Sequence, residues 1–89
     1  MSVYTILVYD TLSERNAGVL RTCRKYLHHM QRSVFEGDLS SAQLVRLRAD
    51  IGAHIDASYD HVLVYTFPPG AAPERQSWGV ADDRPHDIL

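Results

Sequence analysis

The run Val3-Tyr4-Thr5-Ile6-Leu7-Val8-Tyr9-Asp10 decides how the rest of the chain is read. Its β-branched, aromatic and aliphatic residues carry no charge until they stop at a carboxylate. This predicts a strand buried on both faces, with Asp10 delivered at its C-terminal end. Asp10 is therefore the candidate site residue. Followed by Thr11, Leu12 and Ser13, it also reads as an ordinary turn acid, and on local sequence alone that is the plainer reading.

Downstream of this strand, Ser13 is a candidate N-cap, and Ala17, Val19, Leu20, Cys23, Tyr26 and Leu27 recur at three- and four-residue steps. An amphipathic helix is expected from about Glu14 to His28, with Arg21, Arg24 and Lys25 on its outer face. Gly18 within it marks a close backbone approach. Adjacent histidines on a helix point about 100° apart and no third ligand is suitably spaced, so His28-His29 is expected to end the helix rather than hold a metal. Residues 30–39 have strand character divided by a bulge or break. Leu39-Ser40-Ser41-Ala42-Gln43-Leu44 then holds a complete helix start: Ser40 as N-cap, Gln43 reaching back, and Leu39 against Leu44 as the staple. Leu44, Leu47, Ile51 and Ile55 give that helix its stripe, to an end near Ala57, with His54 on its surface. His61 to Phe67 is a further strand, closed by Pro68-Pro69-Gly70. Arg75-Gln76-Ser77-Trp78-Gly79-Val80 is a weak strand candidate whose Trp78 needs something to pack on, its own sheet or a second subunit's.

Strands alternating with helices long enough to cross back over a sheet predict an α+β sandwich of the ferredoxin-like kind, with an antiparallel sheet and both helices on one face. The expected division is a domain over residues 1–67 and a linker with a C-terminal strand or tail over 68–89, packing on a partner subunit or partner protein. The uncovered sheet face would be apolar, and a homodimer formed sheet to sheet would cover it.

At 89 residues the chain is one small domain, expected to bury only about 60–65% of its unfolded surface alone. The net charge of −2 argues against a globally basic nucleic-acid binder, but the average hides an asymmetry. Arg15, Arg21, Arg24, Lys25 and Arg32 fall in a stretch without an acid, whereas residues 70–89 hold four acids against Arg75 and Arg84. A basic face suggests a polyanion and an acidic tail suggests a basic protein, although a solvated helix face would also carry such cations. Cys23 is the single cysteine, so no internal disulfide is possible; it reads as a small buried hydrophobe in a cytoplasmic protein. No stretch approaches the roughly 18 apolar residues of a membrane span. No repeat, phosphate-binding glycine loop or zinc spacing appears.

The strand ending Val8-Tyr9-Asp10, the run Gln31-Arg32-Ser33-Val34-Phe35-Glu36-Gly37-Asp38-Leu39, the capped second helix and Asp60-His61-Val62-Leu63-Val64-Tyr65 together resemble the second core family of CRISPR-associated adaptation proteins over about residues 1–67. That resemblance implies a ferredoxin-like homodimer which partners the CRISPR integrase in spacer acquisition and, in several members, a Mg²⁺-dependent endonuclease on RNA or DNA. Carried across by position, it makes Asp10 the metal-binding and catalytic aspartate and places Tyr9, Ser33 and Phe35 beside the basic residues on the nucleic-acid surface. Two features depart from the family pattern. Arg15 is followed by Asn16 and Ala17 where many members have two adjacent arginines, and a glycine before the second strand is replaced in the region of His28-His29.

One carboxylate is too little to hold Mg²⁺, but a two-fold axis beside the strand end would bring in the second Asp10, so that one ion is shared by both subunits. The leading expectation is an adaptor dimer that bridges the integrase and grips the backbone of double-stranded DNA, and of RNA in the nuclease case. The alternatives are a metal-dependent endonuclease as the main role, or a ferredoxin-like small-ligand regulatory domain.

Overall fold

The computed structural model describes residues 2–79. In chain order it contains β1 (Ser2–Asp10), α1 (Ser13–Arg24), β2 (His28–Gln31), β3 (Val34–Ser40), α2 (Ser41–Gly52) and β4 (His61–Phe67). The strands form one sheet in the order β2-β3-β1-β4, and every neighbouring pair is antiparallel. This is the ferredoxin-like α+β architecture.

Strand alternation sorts the sheet into two faces. Register pairs Leu7 with Phe35 and Val64, and Val3 with Leu39. These residues point toward the helices, where Leu7, Val19, Cys23, Phe35, Leu39 and Leu47 are at most 1% exposed. The opposite set pairs Tyr4 with Phe67, Ile6 with Tyr65 and Val8 with both Val34 and Leu63. No element of the sandwich covers that second face, and Tyr65 is 53% exposed there. β4 is also an edge strand, and the helix layer covers it poorly. An apolar groove of about 590 Å³ remains between β4 and α2, lined by Leu44, Ile51, Ile55, Val62 and Val64 among others.

Several expectations meet a different local structure. α1 stops at Arg24, and Lys25, Tyr26 and Leu27 fold into a turn whose amides bond Thr22 and Cys23 carbonyls. Leu27 still enters the core, so its apolar spacing mimics one more helical turn. The histidines do not end a helix: His28 and His29 open β2, and the His29 ring stacks on Phe35 with centroids 4.5 Å apart. The break expected in residues 30–39 is a hairpin turn at Arg32-Ser33, preceded by a register shift between His29 and Gln31. α2 ends at Gly52 rather than near Ala57: the amides of Ala53, His54 and Ile55 close a last turn on the Ala49, Asp50 and Ile51 carbonyls, and beyond it the Asp56 carboxylate accepts from the Ser58 amide and hydroxyl.

The Ser40–Gln43 capping box is formed in both directions, at 3.1 and 2.8 Å. Gly18 is a close approach: a Cβ there would lie 2.8 Å from Nδ1 of His54.

Residues 71–78 form no strand in the single chain, and Trp78 is 86% exposed. Val80 and the acidic ending lie outside the described residues. Arg75 nevertheless ties this segment across its own sheet through an ion pair to Glu36 at 3.2 Å. Burial and a hydrogen bond to Glu36 push the neighbouring Tyr4 hydroxyl up to about 12. No helix among the described residues is long and apolar enough to cross a membrane.

Candidate functional site

The C-terminal end of β1 is held by one buried carboxylate. Asp60, just before β4, takes the Leu12 amide at 3.0 Å, the Asp56 amide at 2.8 Å, and Arg15 in a fork with Nε at 2.5 Å and the terminal nitrogen at 3.0 Å. Its side chain is fully buried and that of Arg15 is 25% exposed. The guanidinium, together with the amides, holds the Asp60 carboxyl well below the usual carboxylate range. Because no α1 side chain caps its own N-terminus, the Asp60 charge also supplies the negative group that this helix end favours. One side chain thus fastens the end of β1, the start of α1 and the start of β4.

Asp10 stands beside this knot, exposed, as the last residue of β1. Alternation places it on the same face as Tyr4, Ile6 and Val8, and its ladder partner is His61. An open depression of about 360 Å³ adjoins it, lined by Tyr9, Asp10, Thr11, Asn16, Arg32 and Ser33. The Thr11 hydroxyl donates to the Asn16 side-chain oxygen. Ser33 is drawn in by its carbonyl, which accepts the Tyr9 amide at 3.2 Å.

Arg32 sits at the turn with φ of 35°, a left-handed conformation that a residue with a Cβ adopts at a cost. The Nε2 atom of His29 lies 2.6 Å from its carbonyl oxygen. The backbone is thereby fixed in a shape that keeps the Arg32 side chain exposed at the mouth of the depression.

The candidate residues separate into three groups. Asp10, Tyr9, Arg32 and Ser33 converge on the depression. Arg21, Arg24 and Lys25 are exposed on and just after α1, and Arg46 of α2 is exposed as well; the Tyr26 hydroxyl nearby donates to the Asp50 carboxylate at 2.5 Å. Phe35 and Arg15 belong elsewhere. Phe35 is 0% exposed and stacked between Tyr9 and His29, so its ring is a core element that supports the site from beneath. The Arg15 guanidinium is occupied by Asp60, which leaves it a structural part rather than a free phosphate grip. Tyr9 is itself mostly buried; burial raises its hydroxyl above the ordinary range, with Arg24 opposing.

Asp60 and His61 had no assigned role in the sequence reading. The Asp60–Arg15 bond spans 45 positions, and no local pattern announces it. His61 becomes a neighbour of Asp10 only once the β1–β4 register is known.

No cluster of three His, Cys, Asp or Glu side chains that could hold a metal occurs among the described residues. The chemistry of the donors still fits a divalent ion in part, because an exposed carboxylate on a fixed strand end provides one hard oxygen ligand.

The family described as CRISPR associated protein Cas2 matches residues 1–72. A protein named CRISPR-associated endoribonuclease Cas2 from Frankia alni is 49% identical over 78 residues, covering 88% of this chain and 90% of its own. A protein of the same name from Thermococcus kodakarensis is 38% identical over 87 residues, covering 98% and 100% respectively. Among solved structures, one titled "Crystal structure of cas2" superposes with a TM-score of 0.77 at 33% identity, over 100% of this chain and 99% of the other. With the sheet order, the Asp10 strand end and these matches in agreement, the chain belongs to the Cas2 family of CRISPR-associated proteins.

Proposed function

We propose that this protein acts as a homodimer formed through the open sheet face, binding nucleic-acid backbone and bridging the CRISPR integrase during spacer acquisition. The same dimer would seat a metal-dependent endonuclease centre at its paired Asp10 residues. One observation carries this reading: Asp10 lies on the same side of the sheet as the half-buried Ile6 and Val8 and the exposed Leu63 and Tyr65 that pair with them. A second copy laid on that face hides the apolar residues and brings its own Asp10 to the interface. An isologous contact duplicates every residue it uses, so a carboxylate insufficient alone becomes a pair.

The relatives' name, CRISPR-associated endoribonuclease, supports cleavage of RNA as the chemistry of such a centre. A divalent ion held there, Mg²⁺ where only oxygen donors and substrate phosphate complete its shell, supplies charge stabilisation and an activated water. The chain's own share is to bind and orient. Asp10 offers the ligating oxygens, Arg32 the positive charge at the rim, and the Ser33 and Asn16 side chains hydrogen bonds to a phosphate in the depression. Arg21, Arg24, Lys25 and Arg46 hold backbone phosphates away from the scissile one, without reading bases. β4 is the free edge to which the segment around Trp78 of a second copy would add.

The deciding experiment is Asp10→Asn, assayed in parallel for metal-dependent cleavage of RNA and DNA, dimer mass and spacer acquisition. Cleavage should fall by orders of magnitude while dimerisation and acquisition persist. Loss of acquisition in a folded, dimeric Asp10→Asn protein would put cleavage ahead of bridging, and a wild-type chain that sediments as a monomer would remove the shared site altogether.

A further inference from the structure

We propose that the cavity between Tyr4, His28, Met30, Glu36 and Asp38 on the open sheet face is a socket for an arginine guanidinium, filled in the single chain by Arg75 and open, when that side chain leaves, to an arginine of a different protein. The site lies toward the opposite end of β1 from Asp10: six residues at about 3.3 Å each put Tyr4 roughly 20 Å along the strand from that carboxylate. Neither Asp10 nor a second copy of the chain takes part in it.

The first support is the electrostatics of the cavity, which encloses about 270 Å³. Register pairs His28 with Glu36 and Tyr4 with Asp38, so the polar side chains arrive on one face. Glu36 is the demanding member. Its side chain is only 13% exposed, and a carboxylate drawn that far out of water is costly until donors and a cation meet it. The Tyr4 hydroxyl is one donor; burial, together with its hydrogen bond to Glu36, pushes it up to about 12 and keeps it protonated. Asp38, exposed at the rim, adds a second negative charge. Among the described residues these groups do not converge into a cluster able to hold a metal ion, so a larger, polyatomic cation is the class that fits.

The second support is the occupant already present. Nε of Arg75 lies 3.2 Å from a Glu36 carboxylate oxygen, a contact that lysine, lacking this nitrogen, does not reproduce. The Met30 and Tyr4 side chains offer apolar surface to the flat guanidinium, which is more weakly hydrated than an ammonium group. Residues 71–77 around Arg75 have neither helix nor strand, so the side chain rather than a backbone fold makes the fit.

The third support is that this arginine is exchangeable. Arg75 remains 35% exposed, and an ion pair that water reaches holds its members weakly. The Arg15–Asp60 pair shows the contrast: there a fork of two bonds closes on a fully buried carboxylate. Arg75 is thus a tethered competitor that lowers the apparent affinity of the socket for any other arginine. A second copy would only replace one Arg75 by an identical one and gain no contact that the single chain lacks, which assigns the occupant to a different protein.

The test is an NMR titration of the ¹⁵N-labelled full chain with a capped peptide of residues 72–77, Ala-Pro-Glu-Arg-Gln-Ser, followed at the Tyr4, Glu36 and Asp38 amides. Arg75→Gln should bind this peptide about tenfold more tightly than the wild type, the factor expected if the tethered arginine fills the socket about nine-tenths of the time. The same peptide with lysine in place of arginine should bind Arg75→Gln at least about tenfold more weakly. Adding Glu36→Gln to Arg75→Gln should abolish binding. Tyr4→Phe in the Arg75→Gln background, which removes only the hydroxyl that meets Glu36, should weaken it severalfold and covers the case of a Glu36 variant that does not fold. Equal affinity in the wild type and Arg75→Gln, no binding to Arg75→Gln at millimolar peptide, or an affinity indifferent to both Glu36→Gln and Tyr4→Phe would overturn the proposal. Unlabelled Glu36→Gln chain, whose own Arg75 is released, moving the same amides of labelled Arg75→Gln at lower concentration than the peptide does would overturn the assignment to a different protein.

Discussion

Replacing Arg21, Arg24 and Lys25 together by glutamine should weaken duplex binding in a way that depends on salt and not on sequence. All three side chains are exposed, and among the described residues neither ion pair engages them. If each neutralises one phosphate, the slope of log affinity against log salt falls by about 0.9 per contact, or about 2.7 for the three. Between about 50 and 200 mM salt this difference amounts to roughly fortyfold, so the variant should lose about fortyfold less affinity than the wild type over that range. Arg21 and Arg24 also lie in the last turn of α1, where a cation stabilises the helix end by about 0.3–1 kcal/mol, so the variant should fold with a modestly lower melting temperature. The assay is fluorescence anisotropy on two duplexes of unrelated sequence at several salt concentrations. An unchanged slope would refute the reasoning and move the duplex to the Arg32 side of the molecule, and unequal losses on the two sequences would mean that these residues read bases.

Three further outcomes follow from the geometry. Arg32→Gly relieves a left-handed residue and should raise stability by about 1 kcal/mol in denaturant titration while lowering nucleic-acid affinity, the opposite signs separating strain from function. Asp60→Asn should be destabilised at neutral pH, and its deficit against the wild type should shrink as pH falls below about 4, because the Asp60 carboxyl is depressed in the fold and its contribution is lost on protonation; a constant deficit in pH-dependent thermal melts would contradict the ion-pair account. Tyr65→Asp places a charge on the uncovered face, and sedimentation should show the dimer weakened about a hundredfold, roughly 3 kcal/mol over the two copies, with the monomer fold intact.

The parts of this fold legible in the sequence are those whose causes are local. β1 is a long uncharged run, α2 announces itself by a capping box that closes within four residues, and β4 is bracketed by Asp60 and a double proline. The region between α1 and β3 was harder to read because tertiary contacts override its pattern. Leu27 has helical spacing but belongs to a turn, and it packs against Gly37, where a Cβ would meet its Cδ2 at 3.3 Å. That contact makes sense of a glycine inside a strand, and no nearby residue hints at it. The candidate site divides along the same line. Asp10 was visible at the end of its strand and Arg32 by its charge, but the occupation of Arg15 by Asp60 and the burial of Phe35 depend on which strands become neighbours. Charge alone predicts that a cation is available, and a partner 45 positions away withdraws it.

The lone thiol has a practical consequence. Cys23 is fully buried beside Val19 and Leu7, and burial pushes its thiol up to about 12, so almost none of it is thiolate at neutral pH. Alkylating reagents should leave it untouched in the folded protein. The natural chain is thus a silent background for thiol chemistry, and a cysteine installed at position 10 or 65 would be the sole reactive handle. Oxidation of such a variant would serve as a molecular ruler, because two cysteines bridge only when their Cα atoms approach within about 7 Å. The usual precaution of first converting the native cysteine to serine would be counterproductive, since a hydroxyl left without a partner in that core costs about 1–3 kcal/mol.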